Sequence, residues 1–237
     1  MPFMYFMVKN NLNSCGKVAV ALLCAFACGC AACRTPSRSS KFTENRRLAE
    51  VTFAAVDIET TGFSPQNDRI IEIACVKFRN GRILEQRSWL VNPGIPIAGP
   101  ALRVHGITSE MVKDSPRFKD IAGQLRIFVG DAVVVMHNAA FDTRFLSNEF
   151  LLSGMEWPDN LVLDSLTLCR KWFPEAKAHD LESIARHLGL EEGVGHRALA
   201  DARCLFLVFT CGVGRLPAEA TLRELTSIPN AGRTLRQ

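Results

Sequence analysis

The chain has 237 residues, a length that suits one domain of ordinary size with additional ends. Its hydrophobic content of 48% is enough to form a core and excludes a chain that is disordered throughout. The formal net charge is +4, and residues 1–40 account for all of it, because they contain Lys9, Lys17, Arg34 and Arg38 and no acidic residue. The rest of the chain is neutral, which argues against a protein that coats nucleic acid through a broad positive surface.

The N-terminal segment 1–40 differs in composition from everything that follows. A run of apolar and small residues from Val18 to Cys33 follows Lys17 and precedes a polar stretch. The run is shorter than the roughly 18–20 residues of a membrane-spanning helix, and its basic flank resembles a secretory signal. Three interpretations stay open: a signal segment, a membrane anchor through residues 18–33, and a translation start assigned too early.

The nine cysteines indicate no disulfide framework. Five of them lie between Cys15 and Cys33, in an apolar setting with irregular spacing that disfavours a zinc site. The other four, Cys75, Cys169, Cys204 and Cys211, are isolated in apolar contexts that are typical of small core residues.

Residues 41–50 are predicted to be a linker, and regular patterns begin after them. Strands are expected over 51–58, 69–78 and 82–91, and Asn80-Gly81 between the last two is a strong hairpin signal. Three such strands make an antiparallel half of a sheet.

The second half of the pattern alternates helices with short strands, which indicates an α/β layer and parallel pairing. A short helix is expected to end near His105, and Pro116 suits the first position of a longer one. Further strands are expected over 132–136 and 161–164, a helix between them through Leu152, and helices over 165–172, 180–188 and 197–212. Residues 214–237 are expected to form a short tail with one or two helical turns.

Two carboxylates stand at the end of the first strand. Asp57 and Glu59 are two residues apart, so their side chains project from the same face. Neighbouring carboxylates repel each other, and a divalent cation held by hard oxygen ligands relieves that repulsion. The alternative is a strand that ends in a solvated acidic turn.

Two more acids stand where the same sheet end could gather them, Asp142 and Asp201. His196 precedes Asp201 by five residues and is predicted to lie in the loop that approaches the last helix, at Gly193-Val194-Gly195. A histidine in that position suits a general base, and an ordinary solvated loop histidine is the alternative.

Three segments together resemble a known family. Asp57–Gly62, His137–Asp142 and His196–Asp201 look like the three exonuclease motifs of DnaQ-like DEDDh 3′–5′ exonucleases, the family that includes the proofreading epsilon subunit of bacterial DNA polymerase III. The connecting segments 69–74 and 104–108 match as well, and the resemblance covers about residues 51–213. A sister branch uses tyrosine in place of the histidine, and it is excluded because the chain's only tyrosine, Tyr5, lies in the atypical segment 1–40.

The resemblance implies a ribonuclease H-like α/β fold, a mixed five-stranded sheet flanked by helices. It also implies two divalent ions, Mg²⁺ or Mn²⁺, with Asp57 bridging them and Glu59, Asp142 and Asp201 completing the ligand set. Such a site is a two-metal clamp for hydrolysis of a phosphodiester bond, and His196 would deprotonate the attacking water.

Substrate contacts are also assigned by resemblance. Thr60, Thr61, Gly62 and Phe63 would line the terminal nucleotide, with Phe63 stacking on a base. Asn138 and Phe141 would border the scissile nucleotide, although a helix cap and a core aromatic are the respective alternatives. His105 either contacts substrate or packs on its own short helix. Asp164 also ends a strand but matches no metal position of the family, so a structural role is expected for it.

The expected function is therefore a metal-dependent 3′–5′ exonuclease that acts on single-stranded or mismatched DNA 3′ ends, with proofreading as one setting. An enzyme that trims RNA is an alternative, since contacts to a 2′-hydroxyl cannot be read from one sequence, and a non-catalytic nucleic-acid-binding module is another. A DNA polymerase catalytic subunit is the candidate protein partner, with a stand-alone nuclease as the alternative. The function predicts a cytoplasmic location, whereas the signal-like segment 1–40 leaves anchoring or export open.

Overall fold

The computed structural model describes residues 44–190 and 195–234. The signal-like segment 1–40 and residues 193 and 194 of the predicted approach loop lie outside the described residues. Among the described residues, no helix has both the length and the apolar character needed to cross a membrane.

The described strands form one mixed sheet of six strands in the order β3-β2-β1-β4-β5-β6. The strands β1, β2 and β3 are antiparallel neighbours, β1, β4 and β5 pair in parallel, and β6 is antiparallel to β5. The predicted mixed sheet of five strands is confirmed, and a short sixth strand from the predicted tail extends it. Their bounds are β1 Phe53–Thr60, β2 Ile70–Arg79, β3 Arg82–Leu90, β4 Val133–Met136, β5 Leu161–Asp164 and β6 Gly232–Thr234.

Helices cover both faces of this sheet, at the positions that the apolar periodicity indicates. The helices are α1 Gly99–His105, α2 Ser109–Val112, α3 Phe118–Val129, α4 Ala139–Leu152, α5 Ser165–Trp172, α6 Leu181–His187, α7 Ala198–Val213 and α8 Leu222–Thr226, and a 3₁₀ turn spans Leu48–Glu50.

The alternation of side chains in β1 decides which layer each residue faces. Phe53 and Ala55 belong to the core that includes α7, and the ring centroids of Phe53 and Phe209 are 5.0 Å apart. Ala54, Val56 and Ile58 belong to the core on the other face, with α3 and α4. Residues 57 and 59 have the same parity as 53 and 55, so the β1 carboxylates are directed towards the layer of α7.

The β2–β3 hairpin turns at Asn80 and Gly81, as predicted. Their φ angles are 49° and 67°. A two-residue hairpin turn of type I′ requires positive φ at both central residues, and asparagine and glycine are the residues that adopt it most readily.

Asp164, for which a structural role was expected, ends β5 beside the start of two helices. Its Oδ1 accepts hydrogen bonds from the backbone N–H groups of Asn138 and Ala139 at 3.0 and 3.1 Å and from that of Leu166 at 3.3 Å. One carboxylate thus satisfies free N–H groups at the N-termini of both α4 and α5. Asn138 occupies the N-cap position of α4 with a φ of 66°, but its side chain makes no cap hydrogen bond.

Residues on both sides of 51–213 pack onto this fold. Leu222 and Leu225 of α8 are buried in the α7-side core, and the backbone N–H of Leu48 donates to the carbonyl of Ala220 at 2.8 Å. Near the end, the N–H of Asp164 donates to the carbonyl of Ala231 at 2.7 Å. The region predicted to be a tail therefore contributes a helix, a strand and part of the core.

Candidate active site

Three carboxylates meet where β1 ends beside the first turn of α7. Oxygen atoms of Asp57, Glu59 and Asp201 all lie within 4.8 Å of one another. Asp57 and Glu59 come from one face of β1, and Asp201 comes from the fourth position of α7. The parity of β1 and the packing of α7 on that face bring together side chains from opposite ends of the domain sequence.

Asp142 lies next to this group without joining it at that distance. It stands in the first turn of α4, which starts shortly after β4, and is 5% exposed. Its charge is the largest neighbouring charge acting on Asp57. The parallel strands β1 and β4 end at the same edge of the sheet, and this places α4 beside the cluster.

Burial is the largest cause of a raised pKa at all four groups, and the charge of a neighbouring carboxylate raises each of these pKa values further. Burial and the charge of Asp201 raise the pKa of Glu59 to about 8, and burial raises the pKa of Asp142 to about 7 and that of Asp201 to about 6. The pKa of Asp57 is raised well above its ordinary value, by burial and by the charges of Asp142 and Asp201. Several negative charges at one site are therefore unfavourable without a compensating cation.

The residues present fit a divalent cation. The donors are carboxylate oxygens, which hard cations prefer. Oδ1 of Asp201 is buried and has no hydrogen-bond partner within the described part of the chain, and a buried acceptor of this kind is costly unless something binds it. A cation between Asp201 and the β1 carboxylates would satisfy this oxygen and reduce the repulsion.

His196 lies two residues before α7 and is exposed. Its charge lowers the pKa of Asp201, so the imidazole and the cluster are near each other. The φ of His196 is 48°, in the left-handed region that residues other than glycine rarely adopt. The prediction that His196 precedes the helix and Asp201 lies inside it agrees with the observed start of α7.

The loop that follows β1 is closed by Asp68, a residue that the motif comparison does not single out. Oδ1 of Asp68 accepts from the Thr61 hydroxyl at 3.0 Å, and Oδ2 accepts from the backbone N–H of Ser64 at 2.9 Å. Gly62 packs against the same carboxylate, and the Thr60 hydroxyl donates to the carbonyl of Gly62 at 2.6 Å. The result is a fixed loop beside the carboxylates, with Thr60 and Thr61 buried.

The other residues assigned to substrate by resemblance have contrasting surroundings. Phe63 is 74% exposed at the tip of the loop, whereas Phe141 is half-buried with its ring centroid 5.0 Å from that of Phe145. His105 is buried, its Nδ1 accepts from the backbone N–H of Ile107 at 2.9 Å, and burial lowers its pKa. Only Phe63 among these three offers a large exposed apolar face.

His137, the first residue of the second motif, is held by two structural contacts. Its Nε2 lies 2.9 Å from the carbonyl of His179, and its Nδ1 lies 2.8 Å from the Ser165 hydroxyl. Nε2–H therefore donates to the carbonyl, and Nδ1 accepts from the hydroxyl. Burial lowers the pKa of His137, so the ring is a neutral bridge between the end of β4 and the helices α5 and α6.

A further pair was missed by reasoning from the sequence. Arg197 donates twice to Glu72, from Nε to Oε2 at 2.9 Å and from a terminal nitrogen to Oε1 at 2.8 Å. Glu72 lies in β2 directly opposite Glu59 of β1. A single glutamate in an apolar strand gives no signal by itself, but its even position, shared with Ala74 and Val76, indicates the face of α7.

The mixed sheet and the carboxylate cluster at its edge agree with the ribonuclease H-like exonuclease fold expected from the three motifs. The RNase_T exonuclease family model matches residues 54–209. The chain belongs to this exonuclease family, in agreement with the DnaQ-like resemblance of its three motifs.

Similar proteins support the same assignment. DNA polymerase III PolC-type of Bacillus cereus is 37% identical over 157 residues, which is 66% of this chain and 11% of that protein; the Bacillus subtilis protein is 37% identical over 158 residues, again 66% and 11%. This chain thus spans about a tenth of the length of these relatives.

Two solved exonucleases share the fold. Exonuclease X, solved in complex with 5′ overhanging duplex DNA, is 28% identical with a TM-score of 0.57, and the match covers 72% of this chain and 97% of that one. Exonuclease I of E. coli, solved with a dA16 oligonucleotide, is 20% identical with a TM-score of 0.66 over 75% of this chain and 43% of that one.

Proposed function

We propose that this domain is a divalent-metal-dependent 3′–5′ exonuclease that removes nucleotides from single-stranded or mismatched DNA 3′ ends. The observation that carries the proposal is the cluster of Asp57, Glu59 and Asp201 with a buried, unpartnered oxygen on Asp201. The exonuclease family match supplies the reaction class.

The four acids hold the cofactor in this proposal. Two Mg²⁺ or Mn²⁺ ions would be bound by Asp57, Glu59, Asp142 and Asp201. When bound, such ions neutralise the charge that develops on the phosphate and make a coordinated water more acidic. The raised pKa values of the acids fall when cations bind, so the carboxylates are ionised in the loaded enzyme.

His196 is the general base in this proposal: its imidazole accepts a proton from the attacking water. His196 is exposed, and its charge acts on Asp201. A side chain in this place reaches a water at the scissile phosphate without itself binding a cation. A positioned base of this kind contributes about 10²–10⁴ in rate.

The loop after β1 receives the terminal nucleotide. Thr60, Thr61 and Gly62 present backbone close to the carboxylates, and the exposed ring of Phe63 provides a surface on which a base stacks. Asn138 and Phe141 at the start of α4 border the scissile nucleotide. His105 is buried, and its place in the proposal as a residue that borders the terminal nucleotide rests on the family resemblance.

A paired 3′ end must unstack before it reaches this site. Unpairing costs a few kcal/mol for a matched base and less for a mismatched one. The enzyme therefore selects frayed and mismatched ends, which suits proofreading. The polymerase III relatives make a DNA polymerase catalytic subunit the proposed partner, and that partner implies a cytoplasmic location.

The test is a cleavage assay on oligonucleotides with a 5′ label. The expected result is a ladder of products shortened from the 3′ end in Mg²⁺ or Mn²⁺, faster on single-stranded and mismatched DNA than on a paired end, and absent with a blocked 3′ terminus. Matched RNA strands measured in parallel separate the DNA-directed enzyme from an RNA-trimming one. Full activity in excess EDTA, or in Asp57→Asn, would overturn the proposal.

A further inference from the structure

Glu72 is an additional carboxylate at the site that is not part of the metal-binding group. It is 2% exposed and lies across the β1–β2 ladder from Glu59. Its charge acts on Asp57, Glu59 and Asp201. A buried carboxylate beside three others needs its own compensation, and Arg197 provides it with two hydrogen bonds.

The geometry of this contact is specific to arginine. The two Arg197 nitrogens each meet a different oxygen of Glu72, at 2.9 and 2.8 Å. Two parallel bonds from a planar guanidinium fix the orientation of the side chain as well as its distance, which a single ammonium group cannot do. The Arg197 side chain is otherwise accessible, at 44% exposure, so the contact with Glu72 is its main constraint.

Glu72 also anchors the backbone at the start of α7. Arg197 occupies the N-cap position but makes no cap hydrogen bond with its own side chain. Instead, the backbone N–H of Ala198 donates to Oε2 of Glu72 at 3.1 Å. Glu72 therefore serves as a remote cap, joined to the start of the helix by two side-chain hydrogen bonds and one backbone hydrogen bond.

These contacts lie immediately beside His196. The histidine is adjacent to Arg197 and has the uncommon φ of 48°. A backbone in this region persists only where its surroundings hold it in place. Asp201, one turn further along, donates its N–H to the carbonyl of Arg197 at 3.1 Å, but its turn of α7 is also packed into the core by Ala202 and Leu205. The residue that depends most on Glu72 and Arg197 is thus His196.

We propose that Glu72 and Arg197 form a positioning pair that holds His196 against the carboxylate cluster. This inference rests on the proposed function, because it takes His196 as the general base. The pair touches neither substrate nor metal. It acts by tying the start of α7 to the strand next to β1, so that the base and the β1 carboxylates share one rigid support.

The variants are Glu72→Gln, Arg197→Lys, His196→Ala and the double variant Glu72→Gln/His196→Ala. Glu72→Gln keeps the size of the side chain and one acceptor oxygen. Arg197→Lys keeps the positive charge but removes the guanidinium that donates two hydrogen bonds at once. Glu175→Gln is the matched control, because it breaks a 2.8 Å ion pair with Arg215 elsewhere in the fold. Turnover number, KM, Mn²⁺ affinity and melting temperature are measured for each.

Each pair variant should lose about 10- to 100-fold in kcat, the range found when hydrogen-bond partners that orient the side chains of a metal site are removed. KM should change less than about threefold, and Mn²⁺ affinity should fall much less than the rate, because the core packing of α7 keeps Asp201 beside the β1 carboxylates. In the His196→Ala background, Glu72→Gln should cost nothing further, since residues that act through one another are not additive. Glu175→Gln should retain the wild-type rate.

If the fold losses in kcat of Glu72→Gln and His196→Ala multiply in the double variant, the proposal is overturned, since Glu72 would then act on something other than His196. A fall in Mn²⁺ affinity equal to the fall in rate would also overturn it. Amide hydrogen exchange of peptides covering residues 195–201 gives a readout that needs no activity: Glu72→Gln should speed exchange there, and unchanged exchange contradicts the pair's role. A wild-type protein without nuclease activity would refute the proposed function instead, whatever the exchange result.

Discussion

The carboxylate of Asp68 fills the space beside Gly62 that a β-carbon would need. Its Oδ2 lies 2.5 Å from the position such a carbon would take, which is closer than real β-carbons approach other atoms. The glycine in the first motif is therefore required by packing within the loop, since its backbone φ is not in the left-handed region.

Gly62→Ala should displace the loop that carries Phe63. Because the Asp68 carboxylate is held by Thr61 and Ser64, the added methyl group forces a shift of the loop, and we expect a loss of about 1–3 kcal/mol in the free energy of unfolding and a higher KM for single-stranded DNA. Gly123→Ala in α3 is the control, with nothing within 4 Å of its β-carbon; it should gain roughly 0.5–1 kcal/mol. Equal stability of both variants in chemical denaturation would contradict the packing role of Asp68.

Asp201→Asn should separate metal binding from folding. Removing one negative charge relieves repulsion in the metal-free cluster, so the melting temperature without metal should not fall at pH 8. The increase in melting temperature on adding Mn²⁺ should shrink, and nucleotide release should be lost. Thermal unfolding with and without MnCl₂ measures both effects. An undiminished Mn²⁺ shift in the variant would remove Asp201 from the ligand set.

The metal-free protein should lose stability as the pH rises. Glu59, Asp142 and Asp201 have folded-state pKa values of about 8, 7 and 6, above the value of about 4 expected in the unfolded chain. Between these values the folded state binds more protons than the unfolded state, so the free energy of unfolding falls as pH increases from about 4 to about 8.

Denaturation at a series of pH values in EDTA tests this trend, and saturating Mg²⁺ or Mn²⁺ should flatten or reverse it because the cation replaces the protons. A free energy of unfolding that rises steadily from pH 5 to pH 8 in EDTA would show that the pKa values of these carboxyl groups are not raised in the folded protein.

His196→Ala should lower the rate by about 10²–10⁴ and leave metal binding intact. The side chain is assigned to proton transfer and not to ligation, so Mn²⁺ affinity should match wild type. His187→Ala is a suitable control, since His187 lies in α6 next to Glu175. Single-turnover rates together with Mn²⁺ titration decide the matter: a variant that loses metal and rate together would make His196 a ligand.

Phe63→Ala should weaken the binding of single-stranded DNA. Stacking of one base on an aromatic side chain contributes about 1–3 kcal/mol, which corresponds to roughly 5- to 150-fold in Kd. Ile127→Ala removes a comparable exposed apolar side chain from α3, with 81% exposure, and should leave the affinity unchanged. Fluorescence anisotropy with a catalytically inactive background variant measures both. Identical affinities of the two variants would exclude Phe63 as a stacking surface.

Periodic features of the sequence predicted most of the fold. The alternation in β1 placed Asp57 and Glu59 on one face, and Asn80-Gly81 located the hairpin. Both signals are local, because strand parity and turn geometry depend on adjacent residues. The start of α7 between His196 and Asp201 was likewise predicted from the motif and its flanking glycines.

Contacts between distant segments were not predictable in this way. Glu72 and Arg197 are 125 positions apart, and neither has a local pattern that indicates the other. Asp68 is one polar residue in a polar loop. The short strand β6 has too few residues to show alternation and forms by pairing with β5. By contrast, Thr221 and Glu224 form a capping box that signals α8 in the sequence.

The hydrogen bond from the N–H of Asp164 to the carbonyl of Ala231 bears on where the chain can be cut. A truncation at residue 213 would remove α8 and β6, expose the apolar sites now covered by Leu222 and Leu225, and leave the edge of β5 unpaired. It would also free the backbone of the residue whose side chain caps α4, the helix that carries Asp142. A fragment that ends near residue 234 keeps that support. If a fragment that ends at residue 213 melts at a lower temperature or aggregates, the cause is the misplaced boundary and not a weak catalytic centre.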